Sequence, residues 1–156
     1  MKPPRFSALA GALFTAAVCA ADALMVHEGW VREMPPGTQV AAAYFSVHNP
    51  GDRDRHLVGA DTAAAQRVEL HTVEHADGTM RMRQVNGIAV PAGGTAILEP
   101  GGLHVMLLGV DTRLVAGDSV TLNLRFANGT SRAVVLPVQR GTAKGHGGHS
   151  MNHDNH

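Results

Sequence analysis

Short runs in which hydrophobic and polar residues alternate recur along most of this chain. The clearest is SVTLNLRF at residues 119–126, where the valine, the leucines and the phenylalanine fall on one side and the polar residues on the other. Segments that favour turns, such as HNPGD, PAGG, EPGG and ANG, separate these runs. Eight further runs are LMVHEGWVR, VAAAYFSVH, RVELHT, TMRMRQV, GIAVP, TAILEP, LHVMLLGV and RAVVLPV. The pattern predicts an all-β sandwich or barrel, and no run is typical of a parallel sheet.

Two local expectations follow from the turn residues. Asn128 and Gly129 are predicted to form a tight two-residue hairpin turn in which both residues adopt positive φ. The only segment compatible with a helical turn is TAAAQRVEL, around residues 63–65.

The first twenty residues have the pattern of a secretory signal peptide. Two basic residues precede the apolar run FSALAGALFTAAVCA, which is too short for a membrane span. We predict a signal at 1–20 with cleavage after Ala20; Ala23 is a second candidate, and the residues before Cys19 disfavour lipid attachment there. The protein is therefore expected in the periplasm, with no membrane insertion after cleavage.

The rest of the chain divides into one domain and a tail. Without the signal, 136 residues remain, which is enough for one compact domain with its own core. We predict this domain at 21–140. The sequence from Gly141, GTAKGHGGHSMNHDNH, has too few bulky apolar residues to order itself, so 141–156 is predicted to be a flexible tail. Its candidate metal ligands are His146, His149, Met151, His153 and His156.

Charge and cysteine content exclude several classes of function. Without the signal there are 11 basic and 13 acidic residues, so nucleic acid is not an expected partner. The only cysteine, Cys19, lies in the predicted signal, which excludes a disulfide framework and a thiolate metal site from the mature domain. No catalytic triad, carboxylate pair or phosphate loop stands out, so no enzymatic activity is expected. The ten histidines and seven methionines point instead to metal binding.

Three stretches combine imidazole and thioether side chains. In GGLHVMLLGV, His104 and Met106 are two residues apart and share one face of a predicted strand, whose other face is apolar. ELHTVEH contributes His71, and GTMRMRQV contributes Met80 and Met82. Neutral, soft thioethers with imidazoles favour Cu(I) over Mg(II), Ca(II) or Zn(II), and thioethers persist in an oxidising compartment where thiols form disulfides.

The spacing of these residues is specific. Ten residues separate His71 from Met82, twenty-one separate Met82 from His104, and one separates His104 from Met106. This H-x10-M-x21-H-x-M pattern, together with the blocks GWVREMPPG, AAAYFSVHNPG and EPGGLHVMLLG, resembles the PCu(A)C family of periplasmic copper chaperones.

The resemblance covers roughly residues 21–138 and implies both fold and function. It implies a cupredoxin-like Greek-key β-sandwich, expected to be a monomer, that carries Cu(I) to a copper-accepting subunit of respiratory cytochrome oxidase or to another periplasmic copper chaperone. Family members often have methionine where this chain has Val73, which is outside the ligand set. The implied core ligands are His71, Met82, His104 and Met106.

Several alternatives stay open at this point. The imidazoles of the tail suit Cu(II), so the tail is a second candidate copper site. Histidine-rich tails in some relatives are associated with additional copper binding. A copper storage, resistance or redox protein is the alternative function, whereas a blue copper site would need a cysteine thiolate. Met80 is either core filler or a reserve ligand. The remaining histidines and methionines of the predicted domain, together with the single tryptophan, are expected at the surface, in packing or as a structural anchor: His27, His48, His56, His75, Met25, Met34 and Trp30.

Overall fold

The computed structural model describes residues 23–141. The predicted signal peptide at 1–20 and the five predicted tail ligands lie outside the described residues. Ten β-strands and no α-helix occur within 23–141. The strands are β1 Met25–Arg32, β2 Val40–His48, β3 Arg55–Asp61, β4 Arg67–Ala76, β5 Thr79–Gln84, β6 Ile88–Val90, β7 Thr95–Leu98, β8 His104–Leu108, β9 Ser119–Phe126 and β10 Ser131–Gln139.

The strands form two sheets packed as a sandwich. The first sheet has the order β5-β4-β8-β2-β1, with β7 also pairing with β2, and the second has the order β10-β9-β3-β6. Pairing within each sheet is antiparallel, and one short parallel pairing between β1 and β10 joins the sheets. The all-β sandwich predicted from the sequence is confirmed. The parallel pair escaped prediction because only residues 31–32 and 138–139 take part.

Both sheets turn an apolar face into a shared core. In β9 the predicted alternation is observed, with every second side chain buried from Val120 to Phe126. Burial of a Val, Leu or Phe side chain stabilises a fold by about 1.5–3 kcal/mol. This core therefore holds the backbone of β4 and β8 in a fixed register. Large side chains with no more than 1% exposure are Val31, Phe45, Val47, Val105 and Leu107 from the first sheet and Leu57, Val90, Leu122 and Leu124 from the second.

Strand β3 is absent from the runs that the sequence pattern singled out. Its segment, RHLVGAD, buries only Leu57 and Ala60, and a bulge between Leu57 and Gly59 breaks the alternation. A Cβ atom on Gly59 would lie 2.8 Å from a guanidinium nitrogen of Arg125, so the glycine lets that side chain cross the strand. Because of this bulge, hydrophobic and polar residues do not alternate along β3, and the alternation pattern did not predict the strand.

The turn after β9 differs from the prediction. Gly129 has a φ of 84°, but Asn128 does not adopt positive φ, so the expectation of two positive φ angles is wrong. The N–H of Gly129 donates to the carbonyl of Phe126 (3.0 Å) and the N–H of Phe126 donates to that of Thr130 (2.9 Å), which closes a three-residue loop. The Asn128 side chain accepts hydrogen bonds from the N–H and hydroxyl of Thr130.

A two-residue turn with two positive φ angles occurs instead between β4 and β5. Asp77 has a φ of 51° and Gly78 of 71°, the signature of a type I′ hairpin turn. Residues 63–64 form a turn and not a helical segment, with the Thr62 hydroxyl accepting a hydrogen bond from the N–H of Ala64 (3.2 Å). Between residues 23 and 141 we find no helix with the length and hydrophobicity of a membrane span.

Candidate metal centre

Two histidines face each other on neighbouring strands of the first sheet. His71 of β4 is the register partner of His104 of β8, so both side chains project from the same face of the sheet. Their ring centroids are 5.8 Å apart and the ring planes are inclined by 48°. Because an imidazole nitrogen binds a metal ion at about 2 Å, rings at this separation can both reach one ion.

The His104 ring is fixed by its backbone. Its Nδ1 donates a hydrogen bond to the carbonyl of Gly102 at 2.9 Å, and the residue is only 3% exposed. The other ring nitrogen, Nε2, is buried and has no hydrogen-bond partner. With the proton on Nδ1, the neutral ring leaves the Nε2 lone pair free.

The His71 ring is held by a carboxylate. Its Nε2 donates to Oε2 of Glu69 at 2.9 Å, and Glu69 also forms an ion pair with Arg67 at 2.8 Å. The hydrogen bond from His71 is the main reason that the pKa of the Glu69 carboxyl is lowered, and the charge of Arg67 adds to it. His71 Nδ1 is buried without a partner, so its lone pair is free.

Two unpartnered buried nitrogens on adjacent rings are unusual, because buried polar atoms nearly always find a hydrogen bond. Each ring is oriented by a hydrogen bond at one nitrogen, which is the arrangement that metal-binding histidines use to fix tautomer and direction. Among residues 23–141 no group of three or more His, Cys, Asp or Glu side chains is placed to hold a metal. A metal held by this histidine pair would therefore need ligands of another type.

Two thioethers share the face of the histidine pair. Met106 of β8 is opposite Glu69, and Met82 of β5 is opposite Val73, while Glu69, His71 and Val73 occupy alternate positions of β4. Register partners share a face, so all four predicted core ligands project from the outer side of the sheet. Met106 is partly buried, whereas Met82 is 63% exposed. The centre is therefore open towards β5.

An aromatic group borders the pair on the side of β2. The Tyr44 ring centroid lies 6.3 Å from that of His104 and 4.8 Å from that of Trp30. The guanidinium of Arg32 lies over both aromatic rings, at 5.5 Å from Tyr44 and 5.9 Å from Trp30. Burial raises the pKa of the Tyr44 hydroxyl above its ordinary value, and the Arg32 charge partly offsets this. These rings limit access of water to His104 from that side.

The sequence of this chain matches a known protein family. Residues 24–138 match the family described as LpqE-like. The chain belongs to the LpqE-like family. The LpqE-like chain is also 36% identical over 120 residues to "Putative lipoprotein Lxx21020" of Leifsonia xyli subsp. xyli, which covers 76% of this chain and 71% of that one.

This LpqE-like chain is also similar to several solved structures. DR1885 from Deinococcus radiodurans, solved in solution in the apo form, is 32% identical over 91% of this chain and 93% of that one, with a TM-score of 0.60. Its CuI form is 31% identical over 81% and 83% of the two chains, with a TM-score of 0.61. A copper-bound PCuAC domain from PmoF2, at 22% identity over 76% and 93%, shows the same fold with a TM-score of 0.63. The predicted kinship with the PCu(A)C family and the cupredoxin-like fold are confirmed.

Most of the other histidines and methionines within residues 23–141 lie away from this centre. His56 lies on β3 in the second sheet, and His48 is four residues from Tyr44, about 13 Å along β2. Met34 is buried and its sulfur accepts a hydrogen bond from the N–H of Leu114 (3.5 Å), in agreement with a packing role. Met80 is 62% exposed, so the suggestion that it fills the core is wrong. Met25 and His27 lie on β1, also in the first sheet.

Sequence reasoning missed the residues that orient the centre. Glu69 shares a face with His71 because the two are separated by one residue, and a carboxylate at that spacing is the signal that could have been used. The carbonyl of Gly102 left no signal, because any residue type provides one. Tyr44 was not considered as a neighbour of His104, because strand order within a sheet cannot be obtained from spacing along the chain.

Proposed function

We propose that this protein is a copper chaperone that binds Cu(I) through His71, Met82, His104 and Met106. The observation that carries the proposal is the pair of buried, unpartnered nitrogens, Nδ1 of His71 and Nε2 of His104. Each supplies a free lone pair on a ring held by a second hydrogen bond. The CuI form of DR1885, 31% identical to this chain, supports copper as the cargo.

The ligand types favour Cu(I). Thioether sulfur is a soft donor that selects Cu(I), whereas Mg(II) and Ca(II) prefer oxygen and Zn(II) prefers nitrogen, thiolate or carboxylate. The sequence has one cysteine, Cys19, and it precedes the described residues, so the centre has no thiolate to offer. A blue copper site requires such a thiolate beside two histidines. Electron transfer of that type is therefore disfavoured against carriage of the ion.

The open side of the centre fits a carrier that must release its cargo. Met82 lies on an exposed strand, so an acceptor can reach the ion by replacing one thioether at a time. We propose that the acceptor is a copper centre of respiratory cytochrome oxidase, reached directly or through another copper chaperone in the periplasm; this part rests on the PCu(A)C kinship. Copper storage or a redox role is the alternative function. Transfer of Cu(I) from the loaded protein to an apo oxidase subunit is expected for a chaperone and not for a storage or redox protein.

The cell envelope is the proposed location, and the lipoprotein names of the family and of the Leifsonia relative support it. Intact mass spectrometry of the protein from a native host tests the processing. Cleavage after Ala20 or after Ala23 gives two defined masses, whereas lipid attachment at Cys19 adds the mass of the acyl chains. An uncleaved chain would contradict export through a signal peptide.

The predicted tail is proposed as a separate Cu(II) site. Its ligands are mostly imidazoles, which suit Cu(II) better than thioethers do. A chain that ends at Gly141 keeps every described strand, because β10 ends at Gln139. We expect this truncation to lose Cu(II) binding and to keep Cu(I) binding. Unchanged Cu(II) binding after truncation would remove the tail site.

X-ray absorption spectroscopy of the protein loaded with one equivalent of Cu(I) tests the core proposal. We expect a mixed shell of nitrogen and sulfur, and the sulfur component should disappear in the double variant Met82→Leu with Met106→Leu. The same variant in the chain that ends at Gly141 separates the core from Met151 of the tail. A shell of nitrogen alone in the unmodified protein would contradict the thioether site.

A further inference from the structure

The hairpin formed by β4 and β5 carries another imidazole and another thioether beyond the core set. His75 and Met80 are register partners, and they share the face of His71 and Met82 because alternate positions of each strand project from one side. The type I′ turn at Asp77 and Gly78 fixes this register, since both residues hold the left-handed conformation that the turn requires.

The geometry of the hairpin brings His75 and Met80 close together. In a hairpin with a two-residue loop, the flanking residues Ala76 and Thr79 form the hydrogen-bonded pair, so His75 and Met80 form the next, non-hydrogen-bonded pair. Cα atoms in such pairs are about 4.5 Å apart and their side chains approach closely. Met82 lies two residues after Met80 on the same face of β5, about 7 Å along the strand, so the flexible thioethers of both residues can reach one ion.

Packing does not account for Met80. Met80 is 62% exposed and Met82 is 63% exposed, although methionine often fills a gap in the core with its flexible side chain. The opposite face of the same hairpin is charged: Arg81 is the register partner of Glu74, and Arg83 forms an ion pair with Glu74 at 2.7 Å. The hairpin therefore places imidazole and thioether side chains on one face and the Glu74, Arg81 and Arg83 side chains on the other.

We propose that His75 and Met80, with Met82 as a shared ligand, form an outer Cu(I) site through which the ion enters and leaves the core site. This inference rests on the proposed function. An imidazole and two thioethers provide a softer and more exposed set than the core, which suits transient binding. Transfer is ligand exchange: each new bond from copper to sulfur or nitrogen replaces an old one, and the ion remains Cu(I) throughout.

Nuclear magnetic resonance of the full chain with 13C-labelled methionine methyl groups tests the site. Cu(I) is added under argon up to three equivalents. We expect the first equivalent to shift the methyl signals of Met82 and Met106, and a later one to shift the signal of Met80. If Met82 and Met106 never shift, the proposed function fails; if they shift and Met80 stays fixed throughout, only the outer site fails.

The rate of copper release provides a second readout. The protein loaded with one equivalent of Cu(I) is mixed with a colorimetric Cu(I) chelator, and the transfer is followed by stopped flow. We expect Met80→Leu and His75→Gln to slow the transfer about tenfold, without a change in the affinity of the core site. Arg81→Gln, on the charged face of the same strand, is the matched control and should transfer at the normal rate. Normal rates in both Met80→Leu and His75→Gln would overturn the proposal.

Discussion

Strands β8 and β5 each contribute one methionine to the proposed copper site, but their surroundings are opposite. Strand β8 lies between β4 and β2, and it carries the nearly buried His104 and a core face formed by Val105 and Leu107. Strand β5 pairs only with β4 within the described residues, and all six of its residues are exposed. One side of the proposed site is therefore packed against the core, whereas the other side lies on an exposed edge strand.

The largest effect is expected from the core face of β8. Leu107→Ala removes buried methyl groups and should lower the free energy of unfolding by about 2–5 kcal/mol. Met82→Leu, an exposed substitution of similar volume on β5, should change it by less than about 0.5 kcal/mol. Denaturant unfolding measures both. Equal losses would show that β5 is as firmly integrated as β8.

The next effect concerns the affinity for Cu(I). His104→Gln removes a proposed ligand whose ring is oriented by the carbonyl of Gly102. Loss of a residue that only orients a ligand costs up to about 100-fold in metal affinity, so loss of the ligand itself should weaken Cu(I) binding by at least about 100-fold. Met82→Leu should weaken Cu(I) binding less, because Met82 is 63% exposed and no hydrogen bond or packing within residues 23–141 orients its thioether as the His104 ring is oriented. Competition with a chelator of known affinity measures both, after circular dichroism has verified the fold. A greater loss for Met82→Leu would reverse the comparison.

A smaller loss of affinity is expected from the orienting carboxylate. Glu69→Ala removes the acceptor of His71 Nε2, and outer partners of this kind contribute about tenfold or more to metal affinity. Arg67→Ala is the matched control, because it removes the ion pair of Glu69 but leaves the hydrogen bond to His71 intact. If the two variants bind Cu(I) equally well, Glu69 does not orient the ring.

The most local effect is expected at the tip of the hairpin. Gly78→Ala introduces no clash, because no atom lies within 4 Å of the added Cβ, but it forces alanine to a φ of 71°. The left-handed conformation costs about 1–2 kcal/mol for a residue with a Cβ, so hydrogen exchange of the β5 amides should accelerate. Asp77→Asn keeps a residue suited to positive φ and should leave exchange unchanged. Unaltered exchange in Gly78→Ala would indicate that the turn does not hold β5 in place.

Regular alternation made most of the fold predictable. SVTLNLRF became β9 with the predicted bounds because each of its apolar residues meets the core. Strand β3 was not predictable in this way, because its bulge at Leu57 and Gly59 puts two residues against one and the period of two is lost. The turn at Asn128 depended on hydrogen bonds from Thr130 to the asparagine side chain, which composition alone does not determine.

The candidate site was predictable only as a set of residues. Spacing and family resemblance identified His71 and His104 as candidate ligands. Their direct pairing, however, depends on the register between β4 and β8, and β8 begins 28 residues after β4 ends. The tautomers depend on Glu69 and on the carbonyl of Gly102, and a backbone carbonyl has no sequence signature. Ligand identity is a property of residue type, whereas orientation is a property of the folded register.

Strand β5 also has a consequence for solubility. An edge strand with free N–H and C=O groups can pair with the same strand of a second molecule, which is a common route to aggregation. Arg81 and Arg83 lie on the face away from the soft ligands, and both are exposed. Two such edges in contact would bring four guanidinium groups together, only partly neutralised by Glu74, so the strands repel. The arginines thus allow the edge to remain open to the proposed copper acceptor without becoming a template for aggregation of the protein itself.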